Sequence, residues 1–197
     1  MAKSFHARRF AFAMRGVTLV ELMVTIAVAA ILLAVAVPGF LQIVQSNRLT
    51  SATNEFMAAI NFARSEAIKR GQSVWLCKTA DGAACTLSGN EWETGWMAFL
   101  DTNKDGKWSP GDEILRVWPG LPEGYTLRPN NNFSNYLRYD PRGTANNMGT
   151  FAVCYQNQTV GARAIVITRL RPRLGSDRNG NGIPENDSGD IASCYTS

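Results

Sequence analysis

A long, mostly apolar run near the N-terminus constrains this chain more than any other feature. The run extends from Val17 to Val44, and Glu21 is its one charged residue. As a helix it would measure roughly 42 Å at about 1.5 Å per residue, which exceeds a hydrocarbon core of about 30 Å. We therefore expect residues 17–45 to cross a membrane once. A carboxylate in such a segment costs about 3 kcal/mol unless it finds a partner, so Glu21 is a functional candidate.

A basic head precedes this run. The charged residues of 1–16 are all positive: Lys3, Arg8, Arg9 and Arg15. Positive flanks stay on the cytoplasmic side, which predicts an inner-membrane protein with residues 46–197 as a head domain in the periplasm. An ordinary secretory leader is cut after its apolar region, whereas here the polar cut point comes first. The apolar run is therefore expected to stay with the mature protein.

The junction between head and run has a specific sequence. Arg15-Gly16 followed by Val17-Thr18-Leu19-Val20-Glu21-Leu22-Met23 resembles the class III signal of type IV prepilins and type II secretion pseudopilins. The resemblance implies that a prepilin peptidase removes residues 1–16, cuts between Gly16 and Val17, and methylates the new amine of Val17. It also implies that Glu21 pairs with the terminal amine of a neighbouring subunit in a filament. The family usually has Phe where this chain has Val17, and a plain single-pass anchor with a chance glutamate is the alternative.

Loss of residues 1–16 would also remove the net charge. The chain has 20 Lys and Arg against 16 Asp and Glu, and the four basic residues of the leader account for the excess of +4. The mature chain is then neutral and has no global field to attract nucleic acid. It also loses His6, the single histidine. Without a histidine base or a phosphate-binding loop, we predict that the protein is not an enzyme.

Four cysteines in an exported domain point to disulfides. They allow three connectivities, and unpaired structural cysteines are the alternative. We favour Cys77 with Cys85, closing a short loop, and Cys154 with Cys194, tying the C-terminal segment to a strand. The second bridge would contribute about 3 to 4 kcal/mol in the chain-entropy model.

The fold class is predicted as α+β. Apolar residues at spacings of three and four continue the helix beyond the membrane: Leu49, Thr53, Phe56, Ile60, Ala63 and Ala67. The helix is expected to end near Gly71 and to kink at Pro38. Strands rich in β-branched and aromatic residues are predicted at 73–77, 95–100, 113–118, 124–128, 136–140, 150–155 and 163–169. This spacing favours an antiparallel sheet in one domain, with a flexible C-terminal tail from about residue 175 that is pinned by Cys194.

The globular part narrows the family. The segments Ala63-Arg64-Ser65-Glu66-Ala67-Ile68-Lys69-Arg70-Gly71, Val74-Trp75-Leu76-Cys77, Gly95-Trp96 and Ala162-Arg163-Ala164-Ile165-Val166-Ile167 resemble the FimT/FimU/GspH group of minor pilins and pseudopilins. The resemblance implies the type IV pilin fold and a low-abundance subunit that primes pilus assembly at or near the tip. Its implied partners are other minor and major pilins and the inner-membrane assembly platform. A GspH-like pseudopilin of type II secretion is the alternative.

Three arginines lie at and after the end of the last predicted strand, in Thr168-Arg169-Leu170-Arg171-Pro172-Arg173. Some members of the group bind DNA for natural transformation through a Gly-Arg-x-Arg motif here; Arg171 and Arg173 match it, and Leu170 replaces the glycine. Contacts to about three phosphates predict a salt slope of about −2.7, hence weak, sequence-independent binding of double-stranded DNA. Alternatively, the arginines are a solvated strand end that pairs with Asp177, Asp187 and Asp190.

An acidic loop has the spacing of a calcium site. Asp101, Asn103, Asp105 and Asp112 occupy positions one, three, five and twelve of an EF-hand-like loop, with Gly106 at position six. Asp112 stands where a longer glutamate normally gives two ligands. Tight turns built by side-chain to backbone hydrogen bonds are the favoured alternative. No other cofactor is predicted.

Two expectations concern exposure. Most tryptophans and tyrosines are predicted to lie in the core, but Trp92, between Glu91 and Glu93, is predicted to be exposed. Lys78, Arg138 and Arg142 are predicted to extend the basic surface if the fold brings them near the three arginines.

Overall fold

The computed structural model describes residues 16–194, and for residue 131 the backbone only. The predicted leader therefore lies outside the described residues, except for Gly16. The chain forms two compact units, one up to Ile43 and one from Val44 onward. Helix α1 spans Leu19–Arg70. The strands are β1 (Val74–Lys78), β2 (Gly95–Leu100), β3 (Glu113–Pro119), β4 (Tyr125–Pro129), β5 (Tyr136–Tyr139), β6 (Gly149–Tyr155), β7 (Gln158–Ile167), β8 (Pro172–Leu174), β9 (Glu185–Asn186) and β10 (Gly189–Asp190).

The N-terminal unit exposes an apolar surface on all sides. Every residue from 16 to 43 is exposed, including large apolar side chains such as Leu19 and Val35. Among the described residues, α1 is the one helix long and apolar enough to cross a membrane, by length and composition. The helix is not interrupted at Pro38. An apolar surface of this extent needs lipid or partner proteins to cover it.

The C-terminal part of α1 buries one face. The buried positions are Leu49, Ala52, Thr53, Phe56, Ala59, Ile60, Ala63 and Ala67, which include all six predicted ones. The helix ends at Arg70, as predicted, because Gly71 adopts the left-handed conformation that suits a helix C-terminus, with φ of +63°. The basic side chains of Lys69 and Arg70 lie in the last turn, where the helix dipole favours them.

Two four-stranded antiparallel sheets follow. The first has the order β3-β2-β1-β5 and the second the order β4-β6-β7-β8. All seven predicted strands are present, although β7 begins at Gln158 rather than at residue 163. The predicted α+β class and antiparallel pairing are therefore confirmed.

The main core joins the helix to both sheets. Phe56 of α1 makes edge-to-face contacts with Trp96 of β2, at 5.2 Å between ring centroids, and with Phe151 of β6, at 4.8 Å. Its third aromatic neighbour is Trp92, at 5.6 Å. The prediction that Trp92 is exposed is wrong: its side chain is fully buried, and its indole N–H donates to the Phe133 carbonyl at 3.1 Å.

A second, smaller cluster covers the opposite face of the first sheet. Trp75, Cys77, Met97 and Phe99 form it, and Trp108 from the loop after β2 packs against it. Strands β1 and β2 are therefore buried on both faces, which explains why every one of their residues is buried. The disulfide between Cys77 and Cys85 borders this cluster.

The C-terminal segment folds back onto the second sheet. The disulfide between Cys154 and Cys194, the second pairing that the sequence favoured, joins it to β6. Ile191 and Cys194 are buried against Ala152 and Ala164. The segment also contains the β9–β10 pair. The prediction of a flexible tail therefore missed its short strands, which are made of residues with low strand propensity.

We expect the substitution Phe56→Ala to lower the free energy of unfolding by about 3 to 5 kcal/mol, because it removes a fully buried ring that contacts both sheets. Urea titration of the full chain in detergent micelles, followed by tryptophan fluorescence, measures the change. Leu170→Ala is the control, because this exposed side chain should contribute less than about 0.5 kcal/mol. Equal effects of the two substitutions would contradict the position of Phe56 at the centre of the core.

Candidate functional site

The junction residues lie at the start of α1. Gly16 and Val17 precede the helix and are exposed. The Thr18 hydroxyl accepts a hydrogen bond from the Glu21 backbone N–H at 3.2 Å, so Thr18 is the N-cap. This cap is not among the predictions from the sequence, although the pattern Thr-x-x-Glu is a known signal for it. Glu21 lies in the first turn, where the positive end of the helix dipole favours a carboxylate.

The three arginines lie on one β-hairpin. Strand β7 ends at Ile167, and β8 returns antiparallel to it. Thr168 closes the turn, because its hydroxyl donates to the Arg171 carbonyl at 2.7 Å and accepts from the Arg171 N–H at 3.2 Å. Arg169 and Leu170 therefore lie at the tip, and Arg171 follows them. The side chains of Arg169 and Arg171 are exposed, whereas that of Arg173 is half-buried.

The arginines differ in their partners. Arg173, on β8, forms an ion pair with Asp187. Among residues 16–194, neither Arg169 nor Arg171 forms an ion pair. Of the proposed pairings with the C-terminal segment, the structure therefore contains the one between Arg173 and Asp187. Two guanidinium groups at the turn face solvent.

Of the other basic residues, burial excludes Lys78 from a basic surface, whereas the loop after β5 meets the hairpin, because the Ala145 N–H donates to the Arg169 carbonyl at 3.0 Å. Lys78 is buried with 1% exposure and donates to the Ser134 carbonyl, and burial lowers the pKa of its ammonium group. The prediction that Lys78 extends the basic surface is therefore wrong. Arg138 covers the Trp75 ring, whereas Arg142 is exposed and lies 3.9 Å from Asp140.

The acidic loop uses its side chains as turn acceptors. The two carboxylate oxygens of Asp101 accept the backbone N–H groups of Asp105, at 3.1 Å, and Gly106, at 2.8 Å. Asn103 accepts from the Asp105 N–H at 3.1 Å. Asp112 accepts from Thr102 and Ser109. Within the described part of the chain, no group of three or more His, Cys, Asp or Glu side chains is arranged to hold a metal ion.

A second loop of this kind lies in the C-terminal segment. Asp177 accepts the N–H groups of Gly180 and Gly182, each at 2.7 Å. The side-chain amides of Asn179 and Asn181 both donate to Asp190. This network fixes the segment that carries Asp187.

Comparison with known families identifies the chain. The family model described as type II transport protein GspH matches residues 52–170, which is more than half of the chain. The chain belongs to the GspH family. A second model, the prokaryotic N-terminal methylation motif, matches residues 12–37. GspH-family proteins are structural pilins and pseudopilins, and the methylation motif with its apolar helix fits a membrane-anchored pilin.

Individual relatives agree with this assignment. The pilin-like protein PilA1 of Thermus thermophilus is 26% identical over 166 residues, which cover 83% of this chain and 90% of that protein. A crystal structure of the type IV minor pilin FimU of Pseudomonas aeruginosa has the same fold, with a TM-score of 0.53 and 22% identity over 77% of this chain and 98% of that one. A second crystal form gives a TM-score of 0.51 at 22% identity, over 74% of this chain and 99% of that one.

The GspH match ends inside the arginine hairpin. It includes Arg169 and stops at residue 170, so Arg171, Arg173 and the C-terminal segment lie beyond it. Membership of the GspH family therefore carries no statement about these residues, and any role for them must rest on their own geometry.

We expect Asp101→Ala to destabilise the head by about 1 to 3 kcal/mol, because two backbone N–H groups lose their acceptor. The melting temperature of the full chain in micelles measures this change. Because these oxygens act as turn acceptors, we expect calcium to leave the melting temperature of the unsubstituted protein unchanged. A melting temperature that rises with calcium concentration, and does not rise in Asp101→Ala, would instead indicate a calcium site.

Proposed function

We propose that this GspH-family protein is a minor pilin that primes type IV pilus assembly at or near the filament tip. The observation that carries the proposal is the junction: Gly16 and Val17 precede a capped helix whose apolar side chains are exposed on all sides up to Ile43. Such a surface requires lipid first and the helices of other pilins afterwards. Prepilin peptidase would cut after Gly16 and methylate Val17. The head would lie in the periplasm and then, with the filament, at the cell surface.

Glu21 would determine the axial position of each subunit relative to its neighbour in the filament. A carboxylate within the apolar segment costs about 3 kcal/mol if it lacks a partner. The helix N-terminus offsets part of this cost, because Glu21 lies in the first turn. The methylated amine of a neighbouring pilin would offset the rest. A correctly docked subunit is therefore favoured over one that is out of register.

A short periplasmic pseudopilus is the second candidate. The observation that favours it is the matching family model itself, which describes a type II transport protein. The two candidates share the anchor, the fold and the role of Glu21. They differ in the machine that assembles the subunit, the inner-membrane platform of the pilus or that of type II secretion.

A deletion strain separates these candidates. We expect deletion to reduce surface pili and twitching and to leave protein secretion intact. Complementation with Glu21→Ala should restore the protein in the membrane but not the pili. Complementation with Glu55→Ala, which removes an exposed carboxylate of α1 outside the predicted span, should restore both. Loss of secretion with normal pili would support the pseudopilus, and normal pili in the Glu21→Ala strain would contradict the docking role.

The arginine hairpin supports a further role in binding DNA during uptake. Arg169 and Arg171 extend from a closed turn without ion-pair partners among the described residues, so phosphates can approach them without displacing a carboxylate. Two phosphate contacts give a salt slope of about −1.8. Such contacts recognise the backbone and not the base sequence.

Asp187 limits this role by holding Arg173. An exposed ion pair contributes only about 0 to 1 kcal/mol, but it removes one cation from the surface that meets DNA. Release of Arg173 would add one phosphate contact and steepen the salt slope by about 0.9. Because the mature chain would have no net charge, its affinity for DNA would depend on these individual contacts.

We expect Arg169→Ala with Arg171→Ala to abolish measurable binding of a labelled DNA duplex to the full chain in micelles, followed by fluorescence anisotropy at several salt concentrations. Asp187→Asn should tighten binding and steepen the salt slope by about 0.9. Lys107→Ala, which removes an exposed cation elsewhere, is the control for net charge. Equal losses in Lys107→Ala and in the double variant would contradict a specific role for the hairpin.

A further inference from the structure

A cleft with charged residues in its lining is present on the face of the first sheet that α1 does not cover. It has a volume of about 360 Å³, at the lower end of the range of about 300 to 1,000 Å³ that is typical of small-molecule sites. Gly71 at the end of α1, Trp75 of β1, Arg138 of β5 and the loop residues Asp101 and Lys104 contribute to its lining. None of these residues belongs to the arginine hairpin or to the membrane anchor.

Two buried donors border this cleft without acceptors. Trp75 and Arg138 are register partners on adjacent strands, and the guanidinium carbon lies 5.2 Å from the centre of the indole ring. The Nε1 atom of Trp75 and the Nε atom of Arg138 are both buried, and neither forms a hydrogen bond to any described residue. A buried donor without a partner costs about 1 to 3 kcal/mol, and more when it is charged. The Arg138 residue as a whole is only half-buried, so the rest of its guanidinium group is the part that a ligand in the cleft can meet.

The lining also has more cations available than anions. Arg138 and Lys104 form no ion pair with the described residues. Asp101 is the one acidic residue of the lining, and both of its oxygens already accept backbone N–H groups of its own loop. The same turn places Lys104 in a left-handed conformation, with φ of 60°. The Asp101 carboxylate is therefore hydrogen-bonded within the loop, and the Lys104 ammonium group forms no ion pair with the described residues.

We propose that this cleft binds a small organic anion about the size of a monosaccharide. A carboxylate or phosphate group of the ligand accepts hydrogen bonds from Arg138 and is attracted by the ammonium group of Lys104. The sugar ring of the ligand lies near Trp75. Arginine suits this task because its planar group matches the geometry of both oxyanions. Sugar acids and sugar phosphates share this chemistry. The site is separate from the proposed contacts to DNA and from filament assembly.

The test uses the five indole N–H groups of the full chain, labelled with ¹⁵N-tryptophan and held in detergent micelles. Trp75→Phe identifies the resonance of Trp75. Sodium glucuronate and inorganic phosphate are titrated at constant ionic strength, and glucose is the neutral control with a similar ring. We expect the Trp75 resonance to shift in a saturable way with glucuronate and with phosphate, and to remain in place with glucose.

Matched variants locate the site. Arg138→Gln should weaken glucuronate binding by at least about tenfold, the loss expected for one charge-assisted hydrogen bond. Arg142→Gln, which removes an exposed arginine four positions away, should bind like the unsubstituted protein. The other indole resonances report whether a variant keeps its fold. Lys104→Gln, on an exposed loop, should also weaken glucuronate binding. It replaces Arg138→Gln as the test variant if Arg138→Gln perturbs the sheet.

Several results would overturn the proposal. They are an equal shift with glucose, a shift that does not saturate, and equal weakening by Arg138→Gln and Arg142→Gln. Displacement of glucuronate by a DNA duplex would show that the cleft belongs to a DNA-binding surface and not to a small anion. Titration of the hairpin variants with glucuronate keeps the two sites distinguishable. Arg169→Ala with Arg171→Ala should lose DNA binding and leave glucuronate binding unchanged.

Discussion

The buried stripe of α1 is the contact on which the head depends, because one helix face supplies the core of two sheets that share no strand. Phe56 illustrates the constraint: it contacts Trp96 of the first sheet and Phe151 of the second. Alanines at 52, 59, 63 and 67 allow the strands to approach the helix closely. The head therefore keeps its structure only while α1 remains helical from Leu49 to Ala67, and the same helix carries the sequence proposed as anchor and assembly element.

Local contacts, and not overall charge, determine what the head can bind. Residues 17–197 have equal numbers of acidic and basic side chains, so the proposed removal of residues 1–16 would leave a neutral chain. Long-range attraction of an anionic polymer is then absent, so each exposed arginine acts over about one Debye length, roughly 8 Å at physiological salt. The disulfide between Cys154 and Cys194 matters here because it anchors the segment whose Asp187 pairs with Arg173. Folding of the C-terminal segment and availability of the arginines are thus linked.

Periodic features were predictable from the sequence, and features set by tertiary contacts were not. The helix stripe and the seven longer strands follow from residue spacing, and the two disulfide pairings favoured among three possible connectivities are present. Strands β8 to β10 have two or three residues each and little β propensity, so no pattern indicates them. The burial of Trp92 and Lys78 depends on the turn around Phe133 and Ser134, which supplies their acceptors. The Thr18 cap, by contrast, is local, and the pattern Thr-x-x-Glu is sufficient to indicate it.

We propose that the apolar helix remains in the mature protein as anchor and filament element. The intact mass of the protein purified from membranes measures where the mature chain begins. We expect the mass of residues 17–197 with one added methyl group and two disulfides. A mass that retains residues 1–16, or one that begins beyond the apolar run, would contradict it.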